Sequence, residues 1–417
     1  CVSCAWPKPA NYSAFEFCEN GAKATLWELT KDRCTPDFFS ADDHAVTELR
    51  EWSDHELEKS GRLTHPMKYD AASDRYVPID WDDAFAQIGA TLRDLPRDDV
   101  VFYASGHAGL EASYLYALLA RAYGNNNLPQ SSNMCHETTS VGLTKVIGSP
   151  VGTVTFDDLA ETDCYFYFGQ NPGTNSPRFL HNLKDLKDRG GKIVTFNPVI
   201  EQGLVSFVDP QNPLAMMTGK ETIISDQYHQ LKSGGDVAAI LGLCKVVVEA
   251  DDAAQAAETH EVIDHDFIKQ HTTGFDEFIA CCRDAKWADI EQASGLTESA
   301  LREAAQVYID AEKTIGVYGM GFTQHTHGAL NIAMMVNLLL LKGNIGRPGT
   351  GCCPVRGHSN VQGQRTVGIA EKAHLVPLDR LKELFDFNPP SKDGMHIVDA
   401  VQGLIEGRVR GFVSLGG

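Results

Sequence analysis

The sequence lacks several features that would each announce a function. No apolar run approaches the roughly 20 residues that cross a bilayer. The greasiest stretch, Met334 to Leu341, is short and carries Asn337, so it reads as a buried helix. Basic residues are scarce: 36 Lys and Arg against 56 Asp and Glu give a net charge of −20, dispersed along the chain. That balance argues against nucleic acid, because backbone binding needs basic patches. No G-x-G-x-x-G fingerprint or P-loop is present, which counts against ordinary NAD and ATP sites. Internal repeats and low-complexity tracts are missing. Eleven cysteines in 417 residues do not resemble a small disulfide scaffold. No secretory leader is readable, and the expected compartment is cytoplasmic. The chain opens at Cys1 and stops at Leu415-Gly416-Gly417, so it reads as a piece of a longer protein.

What is present describes a soluble globular protein, 43% hydrophobic and 22% charged, long enough for two or three cores. Four cysteines crowd the front (Cys1, Cys4, Cys18 and Cys34), a clustering that fits metal better than disulfides. Residues 1 to about 60 look irregular, broken by Pro7, Pro9 and Gly21. From about residue 80 the pattern becomes α/β, with Asp80 a plausible N-cap for a helix starting at Trp81.

Five apolar runs then share one design. Val100–Tyr103, Cys164–Phe168, Ile193–Phe196, Ile315–Tyr318 and Phe412–Leu415 each end in a loop rich in Gly, Asn or Pro. Continuous β-branched and aromatic runs suit strands buried on both faces of a parallel sheet. Helical stretches at 110–123, 178–189, 237–250 and 298–312 separate most of them. In such sheets ligands bind beyond the carboxyl ends of the strands, where Gly admits a ligand to the backbone and Asn offers donors and acceptors. Several such ends together suggest an extended, nucleotide-like ligand.

Before the helix-like Val141-Gly142-Leu143-Thr144-Lys145 stands Ser131-Ser132-Asn133-Met134-Cys135-His136-Glu137. A helix N-terminus lowers a thiol's pKa, so Cys135 reads as placed to present a thiolate, a nucleophile or soft-metal ligand. Taken alone, the pair reads first as a buried structural thiol beside a surface histidine, since free cysteine is among the most buried residue types.

Together these loops resemble the molybdopterin oxidoreductase superfamily. The resemblance rests on Cys135-His136 after Ser-Asn-Met, on Gly169-Gln170-Asn171-Pro172-Gly173-Thr174-Asn175-Ser176-Pro177, and on Tyr318-Gly319-Met320-Gly321-Phe322-Thr323-Gln324-His325. It extends through Lys342-Gly343-Asn344-Ile345-Gly346-Arg347-Pro348-Gly349 to Pro354-Val355-Arg356-Gly357-His358-Ser359-Asn360. The branch is formate-dehydrogenase-like, of the YdeP-type alpha-subunit group.

The resemblance implies a molybdenum or tungsten ion held by two molybdopterin guanine dinucleotides, with Cys135 as its protein ligand. A thiolate is a soft ligand that matches pterin dithiolenes. His136 would manage a proton beside the metal. Arg356 would hold the carboxylate of a small anionic substrate such as formate, with His358 nearby. Gly169, Asn171, Thr174, Asn175 and Asn197 would line phosphate and ribose, and Gly235 with Asp236 would meet guanine. Gly319, Met320, Gly321, Gln324 and His325 would surround the pterin. Asp236 reads alternatively as an N-cap, and the glycines as turn formers.

The front cysteines correspond to the family's 4Fe–4S site, which exchanges electrons with the pterin and onward with a redox partner or acceptor subunit. Here the sequence departs from the common C-x2-C-x3-C and C-x-K-G pattern. Cys1, Cys4 and Cys18 match, but Lys8 stands where the third cysteine belongs and Asn20 where the lysine belongs. Cys34 or a residue before Cys1 could supply the fourth thiolate, or the cluster could be altered or absent, and Lys23 could supply the missing cation.

The expected architecture is α/β and multidomain. A small N-terminal iron–sulfur domain covers 1–65, a first doubly wound pterin-binding domain joins 66–130 with 359–417, and a second, 131–358, carries Cys135. The resemblance places a C-terminal dinucleotide-binding domain beyond this chain. Two competing readings stay open: a non-catalytic relative that keeps the fold, and a Cys135/His136 nucleophilic hydrolase or transferase, which needs no Gly/Asn strand ends.

Overall fold

The computed structural model describes residues 4–7, 18–30 and 32–416. They fall into two units, one made of 19–131 with 360–416, the other of 4–7, 18 and 132–359.

The first unit is built on a parallel pair, Val100–Ala104 and Gly411–Leu415, in register from Val100 opposite Gly411 to Ala104 opposite Leu415. Val100, Val101, Phe102 and Ala104 have no exposed surface, as expected of a strand covered on both faces. Helices Trp81–Asp94 and Leu110–Tyr123 follow the expected spans, with Asp80 at the N-cap position of the first. The buried Arg121 guanidinium donates to the carbonyls of Gly368 and Ala370 at 2.8 and 3.0 Å, tying a distant loop to its helix. The front is less irregular than expected. Helices span Glu19–Thr30, Pro36–Ser40, Val46–Leu49 and Asp54–Ser60. Local capping accounts for two of them: Thr35 caps a helix that has Pro36 in its first turn, and Ser53 forms a reciprocal capping box with Glu56.

The second unit holds a five-stranded, all-parallel sheet. Its strands are β1 (Cys164–Phe168), β2 (Lys192–Phe196), β3 (Gln227–His229), β4 (Thr314–Tyr318) and β5 (Gly351–Pro354), in the order β3-β2-β1-β4-β5. This is a doubly wound order, and its topological switch point falls between β1 and β4. Three strands are runs expected from sequence, whereas β3 and β5 are additions. The helices that matter below are α1 (Ser131–Cys135), α2 (Glu137–Ile147), α3 (Phe179–Asp188), α4 (Asp236–Ala256), α5 (Glu298–Asp310) and α6 (Gly328–Leu341). α6 contains the greasy stretch: Met335, Val336, Leu338, Leu339 and Leu341 are all buried. α2 lies close against it at Gly142, where a Cβ would meet the Ala329 carbonyl at 2.9 Å. No described helix is long and apolar enough to cross a membrane.

The architecture is thus α/β and multidomain.

Candidate functional site

The ends of β1 and β4 interlock at the switch point. Gly169 follows β1 with φ +52°, and its carbonyl accepts from Gly321 N at 2.9 Å. A Cβ at Gly169 would meet Phe322 N at 2.5 Å, and one at Gly319 would meet Gln170 Cγ at 2.2 Å. Only glycine permits two strand-end loops to run this close. Asn197, buried at the end of β2, donates to the Gln170 carbonyl at 3.1 Å and fixes the loop from the other side. Asn171 caps the turn Pro172–Asn175 through Thr174 N, and its amide donates to Glu201 at 2.6 Å. Thr174 and Asn175 stand exposed on that turn.

Cys135 closes α1, and His136 occupies the N-cap position of α2. Three hydrogen bonds stitch this corner to the loop after β4. Thr323 Oγ1 donates to the Cys135 carbonyl at 3.2 Å, Gln324 Nε2 to the Met134 carbonyl at 2.5 Å, and Thr138 Oγ1 to the Thr323 carbonyl at 3.0 Å. The result brings Cys135 Sγ to 3.2 Å from Met320 Sδ. Burial, with 9% of Cys135 exposed, pushes the thiol up, while the Arg356 charge and the Gly357 N–H pull it down. Against the expected helix-terminus effect, burial dominates. A cation at the sulfur would reverse it.

His136 is 1% exposed. Its Nε2 lies 3.0 Å from the Val355 carbonyl and its Nδ1 2.9 Å from Thr139 Oγ1. A carbonyl only accepts, so Nε2 carries the proton and Nδ1 keeps its lone pair toward the Thr139 hydroxyl. Burial, then Arg356, lower the imidazole to about 4, while the Val355 carbonyl opposes them, so the ring is neutral at physiological pH. Arg356, half-buried just past β5, therefore acts on both residues. His358 lies two residues further along, also half-buried.

A second cluster forms at the start of α4. Gly235 is its N-cap and Asp236 its first residue, which corrects the N-cap alternative for Asp236. Asp236 is 6% exposed, and burial raises its carboxyl to about 6. His325 Nε2 stands 3.7 Å from Asp236 Oδ2 and 2.8 Å from Asn331 Nδ2, and burial lowers that imidazole. Two loops assigned separately in the sequence thus meet.

Of the front cysteines, Cys1 lies outside the described residues, as does Lys8. Cys4 is buried, and burial raises its thiol, with Cys18 near enough to add to the rise. Cys34 is engaged elsewhere: its thiol donates to the Gly61 carbonyl at 3.3 Å, in a small aromatic core with Phe39 and Leu49. Among the described residues, no three His, Cys, Asp or Glu side chains group as a metal site. Asn20 and Lys23 lie exposed on the helix Glu19–Thr30.

Thr139, three residues after His136 on one helix face, could have been read from spacing. Arg178, whose charge opposes the burial that raises the Cys4 thiol, left no sequence signal.

Glycine-cornered strand ends at a switch point mark a doubly wound α/β protein, the class in which ligands meet the carboxyl ends of the strands. Within that class the chain belongs to the molybdopterin oxidoreductase family, whose model matches residues 62–392. It is 48% identical to Protein YdeP of Shigella flexneri over the whole chain, which spans 55% of that relative. It is 29% identical to the F420-dependent formate dehydrogenase 1 subunit alpha of Methanococcus maripaludis, over 70% of this chain and 39% of that one. Among solved structures, acetylene hydratase from Pelobacter acetylenicus matches with TM-score 0.56 at 16% identity, covering 80% of this chain and 39% of the other. That likeness carries the fold alone. Family membership implies a molybdenum–pterin cofactor. The donor chemistry fits it: a soft thiol faces a thioether, beside a cation and glycine-lined loops.

Proposed function

We propose that this chain carries the metal-binding and substrate-anchoring residues of a molybdenum oxidoreductase that takes two electrons from formate, or returns them to carbon dioxide. The observation that supports this is the shared reach of Arg356, whose charge bears on both Cys135 and His136. The similarity to a formate dehydrogenase alpha subunit points to the same substrate.

Cys135 would hold the metal, with Met320 beside it. When bound, the molybdenum–pterin group supplies a two-electron acceptor. Arg356 offers a planar fork that orients a carboxylate through two parallel hydrogen bonds. His136 accepts the proton at Nδ1, because Nε2–H is committed to the Val355 carbonyl. An anion paired with Arg356 cancels part of the repulsion that lowers the imidazole, so substrate binding makes His136 a better base. Gly169, Asn171, Thr174, Asn175 and Asn197 would serve phosphates and riboses of the guanine dinucleotides. Gly235, Asp236 and His325 would serve guanine, and Gly319, Gly321, Gln324 and His358 the pterin side. Cys1, Cys4 and Cys18 would hold an iron–sulfur cluster that passes electrons singly to an acceptor subunit. We likewise propose the division into 1–65, 66–130 with 359–417, and 131–358.

The test uses the full-length protein, produced with molybdate. Expected are bound molybdenum and formate-dependent reduction of an artificial acceptor. Arg356→Ala should lower kcat/KM for formate by about a hundredfold or more, as expected for losing a charged hydrogen-bonding partner. Undiminished activity without molybdenum, or equal rates in Arg356→Ala, overturns the reading.

A further inference from the structure

The sulfur that the proposed chemistry gives to the metal is already engaged by another sulfur. The Cys135 thiol donates to Met320 Sδ at 3.2 Å, although 185 residues separate the two in sequence. A thioether accepts weakly and has no proton to give, unlike a hydroxyl, an amide or a cation in the same place. It is also soft and polarisable. Such a partner holds a thiol in one orientation, yet offers no proton to compete with a soft metal for the sulfur lone pairs.

The backbone around the pair fixes it. Met320 opens the short helical turn Met320–Thr323 that follows β4, with Gly319 at its N-cap position. Gly321 N donates to the Gly169 carbonyl at 2.9 Å, which ties that turn to the end of β1. Thr323 Oγ1, on the same turn, donates to the Cys135 carbonyl at 3.2 Å and lies 3.5 Å from the Met320 carbonyl. One hydroxyl thus bridges the two residues whose sulfurs meet. Gln324 N donates to the Met320 carbonyl at 2.9 Å, while its side-chain amide holds the Met134 carbonyl. His136, although next in sequence, commits both ring nitrogens to Val355 and Thr139, so it does not hold the thiol. The exposures differ: 9% for Cys135 against 40% for Met320. Solvent reaches the thioether far more freely than the thiol.

We propose that Met320 is a positioning residue for Cys135, its thioether holding the thiol in the orientation from which Sγ takes up a soft metal ion. This deepens the reading of Cys135 as the molybdenum ligand and rests on it. Partners that orient a metal ligand are typically worth about 10- to 100-fold in metal affinity.

Two measurements on the full-length protein test it. In protein produced without molybdate, the rate at which iodoacetamide alkylates Cys135 is followed at one pH by mass spectrometry of its peptide. Met320→Leu keeps the volume but removes the acceptor, and should speed alkylation about threefold, the modest effect of one weak hydrogen bond. Met320→Gln, whose amide oxygen accepts in place of the sulfur, should return the rate toward wild type. In protein produced with molybdate, Met320→Leu should lose molybdenum to a chelator about tenfold faster than wild type. A urea midpoint equal to that of wild type shows that the variant is folded; if Met320→Leu is insoluble, Met320→Ala carries both comparisons. A folded variant that matches wild type in either measurement overturns the proposal. Wild-type protein that binds no molybdenum overturns the metal reading, a failure that the alkylation rates tell apart from failure of the Met320 contact.

Discussion

A carboxyl group buried without a full countercharge works against the fold that holds it, and Asp236 is such a group. Only 6% of it is exposed, and burial, with His327, lowers the imidazole 3.7 Å away, which weakens it as a countercharge. Its carboxyl is raised from 3.8 to about 6. A raised folded pKa means that the group favours the folded state below about pH 3.8 and loses that contribution as pH rises through about 6. Asp236→Asn should therefore stabilise the protein by about 2 kcal/mol at pH 7.5, allowing for the cost of an amide in the same place. At pH 4 the gain should vanish. Urea unfolding at the two pH values checks this, and a gain of equal size at both would show that the charge is not its source. A residue kept at such cost is what a ligand-binding role would explain. His136 obeys the same physics with the opposite charge type: burial and Arg356 both disfavour its proton, which leaves a lone pair at Nδ1.

At the scale of elements, the corner between β1 and β4 leaves its backbone little room. Gly169→Ala would force a non-glycine residue to φ +52° and press its Cβ on Phe322 N, a backbone atom with no freedom to yield. The expected cost is about 3 kcal/mol, read from the urea midpoint. Ser414→Ala, at the end of an exposed-faced strand in the other unit, should cost far less. A Gly169→Ala protein as stable as wild type would mean that the two loops can part. The same corner shows how far the fold could be read from residues alone. Cys164–Phe168 and Thr314–Tyr318 announced themselves as unbroken apolar runs because both sheet faces are covered. β3 is only Gln227–His229, and β5 is Gly351-Cys352-Cys353-Pro354, starting at φ +132°. Neither has the length or the composition that distinguishes a strand from a loop. Cys135, His136 and Arg356 were found as motifs. Their common electrostatic reach was not readable, because it depends on β5 carrying Val355 to the His136 ring. Trp6, which stacks on Phe179 and donates to Asn182, gave no signal at all, since both lie more than 170 residues away.

For the whole molecule, the two units differ in how the chain supplies them. All five strands of the second unit come from between Cys164 and Pro354, and its main core draws on residues from Leu143 to Cys352. Nothing outside 132–359 is needed to complete that sheet. The first unit is the reverse case: among the described strands Val100–Ala104 pairs with Gly411–Leu415, more than 300 residues later, while Phe102 N and Ala104 N turn to the carbonyls of Asn127 and Pro129 on the other side. Closing so long a loop costs entropy that a two-stranded pair repays poorly, unless the intervening chain is already folded. The expected order is therefore that 132–359 folds first and draws the two halves of the first unit together. Expressed alone, 132–359 should unfold cooperatively in urea with coincident fluorescence and circular-dichroism transitions. Expressed alone, 19–131 should leave the Val100–Ala104 amides that face Gly411–Leu415 exchanging at near-unfolded rates, because that strand is missing, whereas Phe102 N and Ala104 N keep the carbonyls of Asn127 and Pro129 as acceptors. Protection of those Gly411–Leu415-facing amides in that fragment, or a broad non-coincident transition for 132–359, would reverse the order. The sheet of 132–359, and with it the placement of Cys135, His136 and Arg356, would then need chain outside that span in order to form.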